Sequence, residues 1–471
     1  NGRRIILLLD GTWNDADLGP TDTNISRLRD LIAKKTGAGT RSPLEQEMVS
    51  EPNGTPIGTS TNNPENIVFY SRGVGTASWA NRVFGGAIGA GLDTNIRRAY
   101  RFLSFHYRPG DQIFIFGFSR GSYTARSLVG YIAAAGLLRS NKCSEENERF
   151  AWDFYRSSPG ERPPGEWHRL QPLMHDGDRL RIECLAVFDT VGSLGIPLEA
   201  FGRSNRERYE FHDVELPSIT RVNLQALAID ENRWPFQATV WRPAPFKKIE
   251  TVTEQVWFSG VHADVGGGYM RSTEMKAAHN RADDVALDWL LKRLRTFFKD
   301  FPVPDRWIES TTPDDWSGSS IHNSRLGIYR LYRRSLRAML NREVRSLGAY
   351  EVAVGGDRHS SSLNEMVHIS TIERLWTKKG VSGTLYAPKN LICILPIIEA
   401  TYRNETAGEQ ALLVGWDGEV LDPDRAAARA LATAALDEAT KRYIGFASHT
   451  GASKLHFGLR KIIFFPSVFL Q

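Results

Sequence analysis

The chain has 471 residues, 41% of them apolar and 24% charged, a balance that fits a soluble globular protein and excludes a disordered one. Its formal charge of +5, from 59 basic and 54 acidic residues, is small for this length and argues against a nucleic-acid partner. Three cysteines (Cys143, Cys184 and Cys393) exclude a disulfide scaffold or a cysteine metal site; Cys184 and Cys393 sit in apolar runs and are expected as buried thiols. Arg3 and Arg4 precede only five apolar residues, too few for a secretory leader, and no apolar run reaches the roughly 18 residues of a spanning helix. The expectation is a soluble protein, cytoplasmic in the cell that makes it.

Ile5 to Leu9 predicts a buried parallel strand that opens into the loop Asp10-Gly11-Thr12-Trp13-Asn14. A helix is predicted over Asn24 to Ala33, then a long Gly-, Ser- and Pro-rich loop over Thr36 to Asn63, then a strand over Asn66 to Ser71. The glycines between Gly85 and Gly91 lack both the G-x-G-x-x-G spacing and a Lys-Ser/Thr pair, so no nucleotide cofactor is expected. Ile96, Ala99, Tyr100 and Leu103 form a helical stripe in Leu92 to Tyr107, which Pro109-Gly110 ends.

Ile113 to Phe116 then reads as a strand, Gly117-Phe118-Ser119-Arg120-Gly121 as a G-x-S-x-G turn, and Ser122 to Ala135 as a helix. Strand, tight turn and helix in that order are the context in which this pentapeptide is a nucleophile elbow. The small residues flanking Ser119 admit the close approach of neighbouring backbone.

Residues 141–179 read as a polar, Pro-rich insertion or lid, and Arg181 to Phe188 as a strand ending at Asp189. A helix is predicted near Ile219 to Ile229, with short strands near Gln237 to Trp241. A strand over Gln255 to Ser259 runs into Gly260-Val261-His262-Ala263-Asp264-Val265-Gly266-Gly267-Gly268, and Asp284 to Phe298 is an amphipathic helix. The alternation predicts an α/β-hydrolase-like fold, a mostly parallel doubly wound sheet with a middle insertion and a C-terminal extension. The divisions are a catalytic core over residues 1–300 and an extension over 301–471 that completes or covers it.

A serine hydroxyl attacks slowly at neutral pH, so Ser119 needs a histidine base, and that base needs an acid to orient it. In hydrolase order the acid and then the base follow the serine. Asp189 and His262, each just past a strand, satisfy that order. Asp264 is a rival acid and His368, in Met366-Val367-His368-Ile369, a rival base. Arg120, directly after the nucleophile, and Gly11 or Thr12, after the first strand, are the expected oxyanion donors. A different enzyme, a metal-dependent phosphatase, would gather Asp10, Asp189 and Asp264 around Mg²⁺, but leaves the elbow without a purpose. A hydrolase fold without activity, kept as a binding protein, is the non-enzyme alternative.

Together Leu7 to Asn14, Gly117 to Gly121 with Tyr123 to Arg126, Phe188 to Val191 and Trp257 to Gly268 resemble an α/β-hydrolase family that includes the first class of type VI secretion phospholipase effectors. Asp230 to Arg233 with Phe236 fits the same pattern, and the resemblance spans roughly residues 3 to 295. It implies a phospholipase with Ser119 as nucleophile, Asp189 as acid and His262 as base, and no metal or cofactor. It also implies a phospholipid or other acyl-ester substrate, a secretion-apparatus or immunity-protein partner, and delivery to the periplasm of a target cell. Trp13, Trp79, Phe84, Trp152 and Trp167, and the apolar tail Leu459 to Leu470 with Arg460 and Lys461, are the residues for transient membrane contact, unless they simply pack.

Overall fold

A computed structural model describes residues 2–11, 23–36, 59–60, 65–71, 87–157, 160, 162–177, 180–191, 219–233, 236, 238–241, 251–269, 282–305, 319–324, 345, 347, 351–354, 357–360, 364–380, 383–403 and 410–450. Thr12, Trp13, Trp79, Phe84 and the tail Leu459 to Leu470 lie outside the described residues.

The strands are β1 (Arg4–Leu9), β2 (Thr59–Ser60), β3 (Asn66–Ser71), β4 (Gln112–Phe118), β5 (Ile182–Phe188), β6 (Thr220–Ala228), β7 (Val252–Phe258), β8 (Glu351–Val354), β9 (Asp357–Ser360), β10 (Glu365–His368) and β11 (Leu412–Val414). Nine of them form one sheet in the order β11-β10-β7-β6-β5-β4-β1-β3-β2, every pairing parallel except β2 with β3; β8 and β9 pair as a separate antiparallel hairpin. The helices are α1 (Asn24–Thr36), α2 (Ala87–His106), α3 (Arg120–Ala135), α4 (Glu145–Arg156), α5 (Glu166–Leu170), α6 (His262–Gly266), α7 (Ala282–Phe297), α8 (Ile369–Arg374), α9 (Lys389–Arg403) and α10 (Ala426–Thr450).

The unbroken apolar run of β1 follows from burial on both faces. Ile5, Leu7 and Leu9 face one core with residues of α2, α3 and α4, while Ile6 and Leu8 face another with residues of α1 and α7. Strands from both sides of residue 300 share the sheet, and a third core packs α8, α9 and α10 against β6, β7 and β10. The described helices include none long and apolar enough to cross a membrane.

Three expectations change. Ile219 to Ile229 is strand β6, not a helix. Val222, Leu224, Ala226 and Ala228 fill a core at period two, while Asn223 and Gln225, on the other face, are buried and bonded to Thr253 and the Thr239 carbonyl. Buried polar residues with partners concealed the alternation. Cys393 is exposed rather than buried, because Leu391 to Ile398 belongs to helix α9 and turns one side to solvent. The described part of the stretch 141–179 packs away from Ser119 at α4, where Trp152 and Tyr155 rest on Tyr131 of α3. Tyr131 stands twelve positions along the helix from Ser119, about 18 Å along the axis.

Candidate active site

The chain passes from β1 to β3 on one side and to β4 on the other, so the sheet switches direction between β1 and β4. Ligands of open parallel sheets bind at the carboxyl ends of strands flanking such a switch. Gly11 follows β1, Ser119 follows β4, Asp189 follows β5 and His262 follows β7, so all four residues reach that edge.

Ser119 has φ 56° and ψ −120°, the left-handed backbone of an elbow, at a cost of order 1–3 kcal/mol. Its glycine neighbours are required by contact. A Cβ on Gly117 would lie 2.6 Å from the Gly121 oxygen, and one on Gly121 would lie 2.0 Å from the Leu9 oxygen. The turn is tied to β5: the Ser119 N–H and the Ser122 hydroxyl both donate to the Phe188 carbonyl, at 3.2 and 2.8 Å.

Asp189, the next residue, is fully buried and also left-handed at φ 39°, a conformation that Asp tolerates better than most. Its Oδ2 lies 2.6 Å from His262 Nδ1. Its Oδ1 accepts the Ala228 N–H at 2.9 Å, and the Arg345 guanidinium forks onto both oxygens at 2.6 and 3.0 Å. Burial alone would push the Asp189 carboxyl up, but Arg345 and then His262 outweigh it and hold the group at about 2.

His262 opens α6, with its N–H donating to Glu231 Oε2 at 3.2 Å. Its ring stacks on Phe118 at 4.7 Å and meets the edge of Phe236 at 5.1 Å. Burial lowers the imidazole pKa below its ordinary value, with the Asp189 bond acting the other way. Neutral imidazole bonded to the carboxylate through Nδ1 leaves Nε2 to accept a proton. Glu231 is itself buried; burial would raise it, but Arg233 brings it down to about 2. Gly266 lets α6 close onto the elbow, since a Cβ there would sit 1.8 Å from Phe118. The Ser119 hydroxyl makes no hydrogen bond to His262 or to any other described residue, so the structure brings Asp189 and His262 together and does not bond the serine to them.

The other candidates have other partners. Asp264 accepts from the Val261 N–H at 3.0 Å and pairs with His322 Nδ1 at 2.6 Å, rather than with His262. His368 lies between Phe258 and Trp416, bonded to the Ser370 hydroxyl at 2.8 Å, and burial takes it down to about 3. Its strand is four places from β4, about 19 Å across the sheet. Asp10 accepts from Thr23 at 2.6 Å, Tyr70 at 2.9 Å and the Gly11 N–H at 2.8 Å. The Gly11 amide, expected as an oxyanion donor, is therefore held by its own neighbour, although Gly11 does crowd Ser119: a Cβ there would sit 3.2 Å from Ser119 Cβ. Arg120 begins α3, with its amide at the helix N-terminus. Asp10, Asp189 and Asp264 do not converge, and no group of three or more His, Cys, Asp or Glu able to hold a metal occurs among the described residues.

Arg345, Glu231 and His322 escaped the sequence reading. Nothing around Arg345 sets it apart from 58 other basic residues. Glu231 stands in the Asp230 to Arg233 motif, which marked the segment but not its grip on His262.

Residues 3–293 match the model of the family described as type VI secretion system phospholipase effector Tle1-like, catalytic domain. The chain belongs to this family. An uncharacterized protein of Saccharomyces cerevisiae, YEL023C, is 28% identical over 259 residues, 52% of this chain and 34% of that one, so the chain spans about a third of that relative. A crystal structure of an uncharacterized protein from Pseudomonas aeruginosa is similar over 67% of this chain and 47% of its own, with 16% identity and a TM-score of 0.37. The Tle1 effector bound to the VgrG spike of the type 6 secretion system is similar over 57% and 51%, with 18% identity and a TM-score of 0.28. Both likenesses cover only part of each molecule.

Proposed function

We propose that this Tle1-like domain is a serine phospholipase that hydrolyses acyl esters of phospholipids, with Ser119 as nucleophile, His262 as base and Asp189 as the acid that orients it. The supporting observation is the buried Asp189–His262 pair, 2.6 Å apart, at the sheet edge where Ser119 sits in a strained strand–helix turn. The reaction needs the Ser119 hydroxyl at His262 Nε2, and hydrogen bonds at such sites often tighten only with substrate. His262 takes the proton as Ser119 Oγ attacks the acyl carbonyl. It then protonates the departing lysophospholipid oxygen and afterwards draws a proton from the water that releases the fatty acid. The Arg120 amide, by its position after the nucleophile, is the oxyanion donor. Membership of an effector family supports delivery to a target cell, with a secretion apparatus as partner.

The test is fatty-acid release from phospholipid vesicles carrying positionally labelled chains, with and without EDTA, by the wild type and Ser119→Ala. The expected result is release that survives EDTA and vanishes in the variant, the label reporting which ester is cut. Hydrolysis of short soluble esters alone would keep the serine chemistry and remove the phospholipid. Magnesium-dependent phosphate release would overturn both.

A further inference from the structure

The carboxylate that holds His262 is shared. Asp189 has two oxygens, and the Arg345 guanidinium reaches both of them, at 2.6 and 3.0 Å, while Oδ2 also faces the imidazole. Arg345 is fixed by more than the ion pair. It donates to the Ala228 carbonyl at 2.8 Å and to the Phe236 carbonyl at 2.5 Å, and its own carbonyl accepts from Asn390 at 3.1 Å. The guanidinium is 2% exposed and the carboxylate 0%, so water screens neither. The family match ends at residue 293, so this cation comes from outside the matched catalytic domain.

We infer that Arg345 is a positioning residue of the active site, locking the Asp189 carboxylate for His262 and offsetting its negative charge. This rests on the triad assignment above. The charged groups around the ring make the second effect legible. Asp189 and Arg345 offset each other on one side, and Glu231 and Arg233 form a second buried pair on the other. On the ring's own helix Asp264 is turned to His322, and behind it Asp230 accepts from the Gly260 N–H. A lone Asp189 would leave a net negative charge that favours imidazolium in the resting enzyme. With Arg345 offsetting part of that charge, a proton on His262 is less favoured until the oxyanion forms, so His262 stays neutral, and the enzyme active, to lower pH.

The test is the pH profile of kcat/KM for the full-length wild type, Arg345→Lys and Arg345→Gln, with folding followed by thermal melting and Ser119 reactivity by a fluorophosphonate probe. Arg345→Gln should move the acidic limb up by about one pH unit or more. Arg345→Lys, which keeps the charge and loses the fork, should hold the limb near its wild-type place while kcat falls about tenfold or more. A folded Arg345→Gln with an unmoved limb overturns the inference. If Arg345→Gln does not fold, Arg345→Lys decides it: kcat within twofold of wild type overturns it, and a lower kcat on an unmoved limb supports it. Wild-type hydrolysis indifferent to Ser119→Ala would sink the triad assignment itself, whatever Arg345 does.

Discussion

Two histidine–carboxylate pairs meet on the loop after β7, and their members alternate in sequence: His262 bonds Asp189, and Asp264, two residues on, bonds His322. Both contacts measure 2.6 Å, so distance does not separate them. Their surroundings do. His262 is 7% exposed, wedged between Phe118 and Phe236, on a carboxylate in left-handed backbone that is gripped by Arg345. His322 is 43% exposed and rests on Tyr269, and its carboxylate also ties down the backbone amides of Val261 and His322. The first carboxylate's other partners hold it against His262, the base of the proposed triad. The second holds the His262 loop and the 319–324 segment together. A short His–Asp contact is thus no signature of catalysis until the partners of the acid have been read.

The sharpest way to break this contrast is at the nucleophile. Ser119→Ala should lower ester hydrolysis on the order of 10⁴-fold or more, because alanine cannot form the acyl-enzyme. Melting should barely move, since the Ser119 side chain bonds no described residue. Residual activity within tenfold of wild type would remove Ser119 from the chemistry.

Next comes the pair of acids. Asp189→Asn should cost about 10³–10⁴-fold in kcat through loss of the tautomer and of imidazolium stabilisation. Asp264→Asn should cost less than about tenfold, because in the proposed triad its histidine is not the base. Collapse of Asp264→Asn beside a near-normal Asp189→Asn would exchange the roles of the two pairs.

What the sequence disclosed follows the same line. The meeting of Ser119, Asp189 and His262 at one edge was legible because each lies just past an apolar strand, and a parallel sheet delivers strand ends to one edge. Strands β1, β3, β4, β5 and β7 were legible as apolar runs. β6 was not, because its second face buries Asn223 and Gln225 with partners that only the folded chain supplies. Arg345 and His322 were invisible for a related reason. Their contacts join residues 156 and 58 positions apart, and no local pattern records such a meeting. The bond from the Gly11 amide to the neighbouring Asp10 carboxylate was not legible in the sequence.

A smaller effect sharpens the second pair. His322→Gln should leave kcat within about threefold of wild type and cost about 1 kcal/mol of stability, through one lost charge-assisted bond to buried Asp264. Urea unfolding and a single kinetic assay check both. A loss beyond a hundredfold in kcat with unchanged stability would instead make His322 part of the chemistry.

The smallest expected effect is a pH dependence, and it turns on the sign of one shift. Burial lowers the His262 pKa in the folded protein, whereas the unfolded chain keeps the ordinary value near 6.5. As pH falls through 6.5 the unfolded state takes up the proton first, so stability drains away on the acid side and is recovered above 6.5. His262→Asn lacks this proton and keeps a side-chain donor for Asp189. The difference in Tm, variant minus wild type, should therefore grow more positive by about a degree or more between pH 8 and pH 5. Wild-type groups titrating elsewhere, His368 among them, cancel in the difference because both proteins share them. A difference that stays flat would mean that folded His262 accepts a proton as readily as a free imidazole. In that case the Asp189 carboxylate would act on the ring at full strength, and the offset assigned to Arg345 would have nothing to explain.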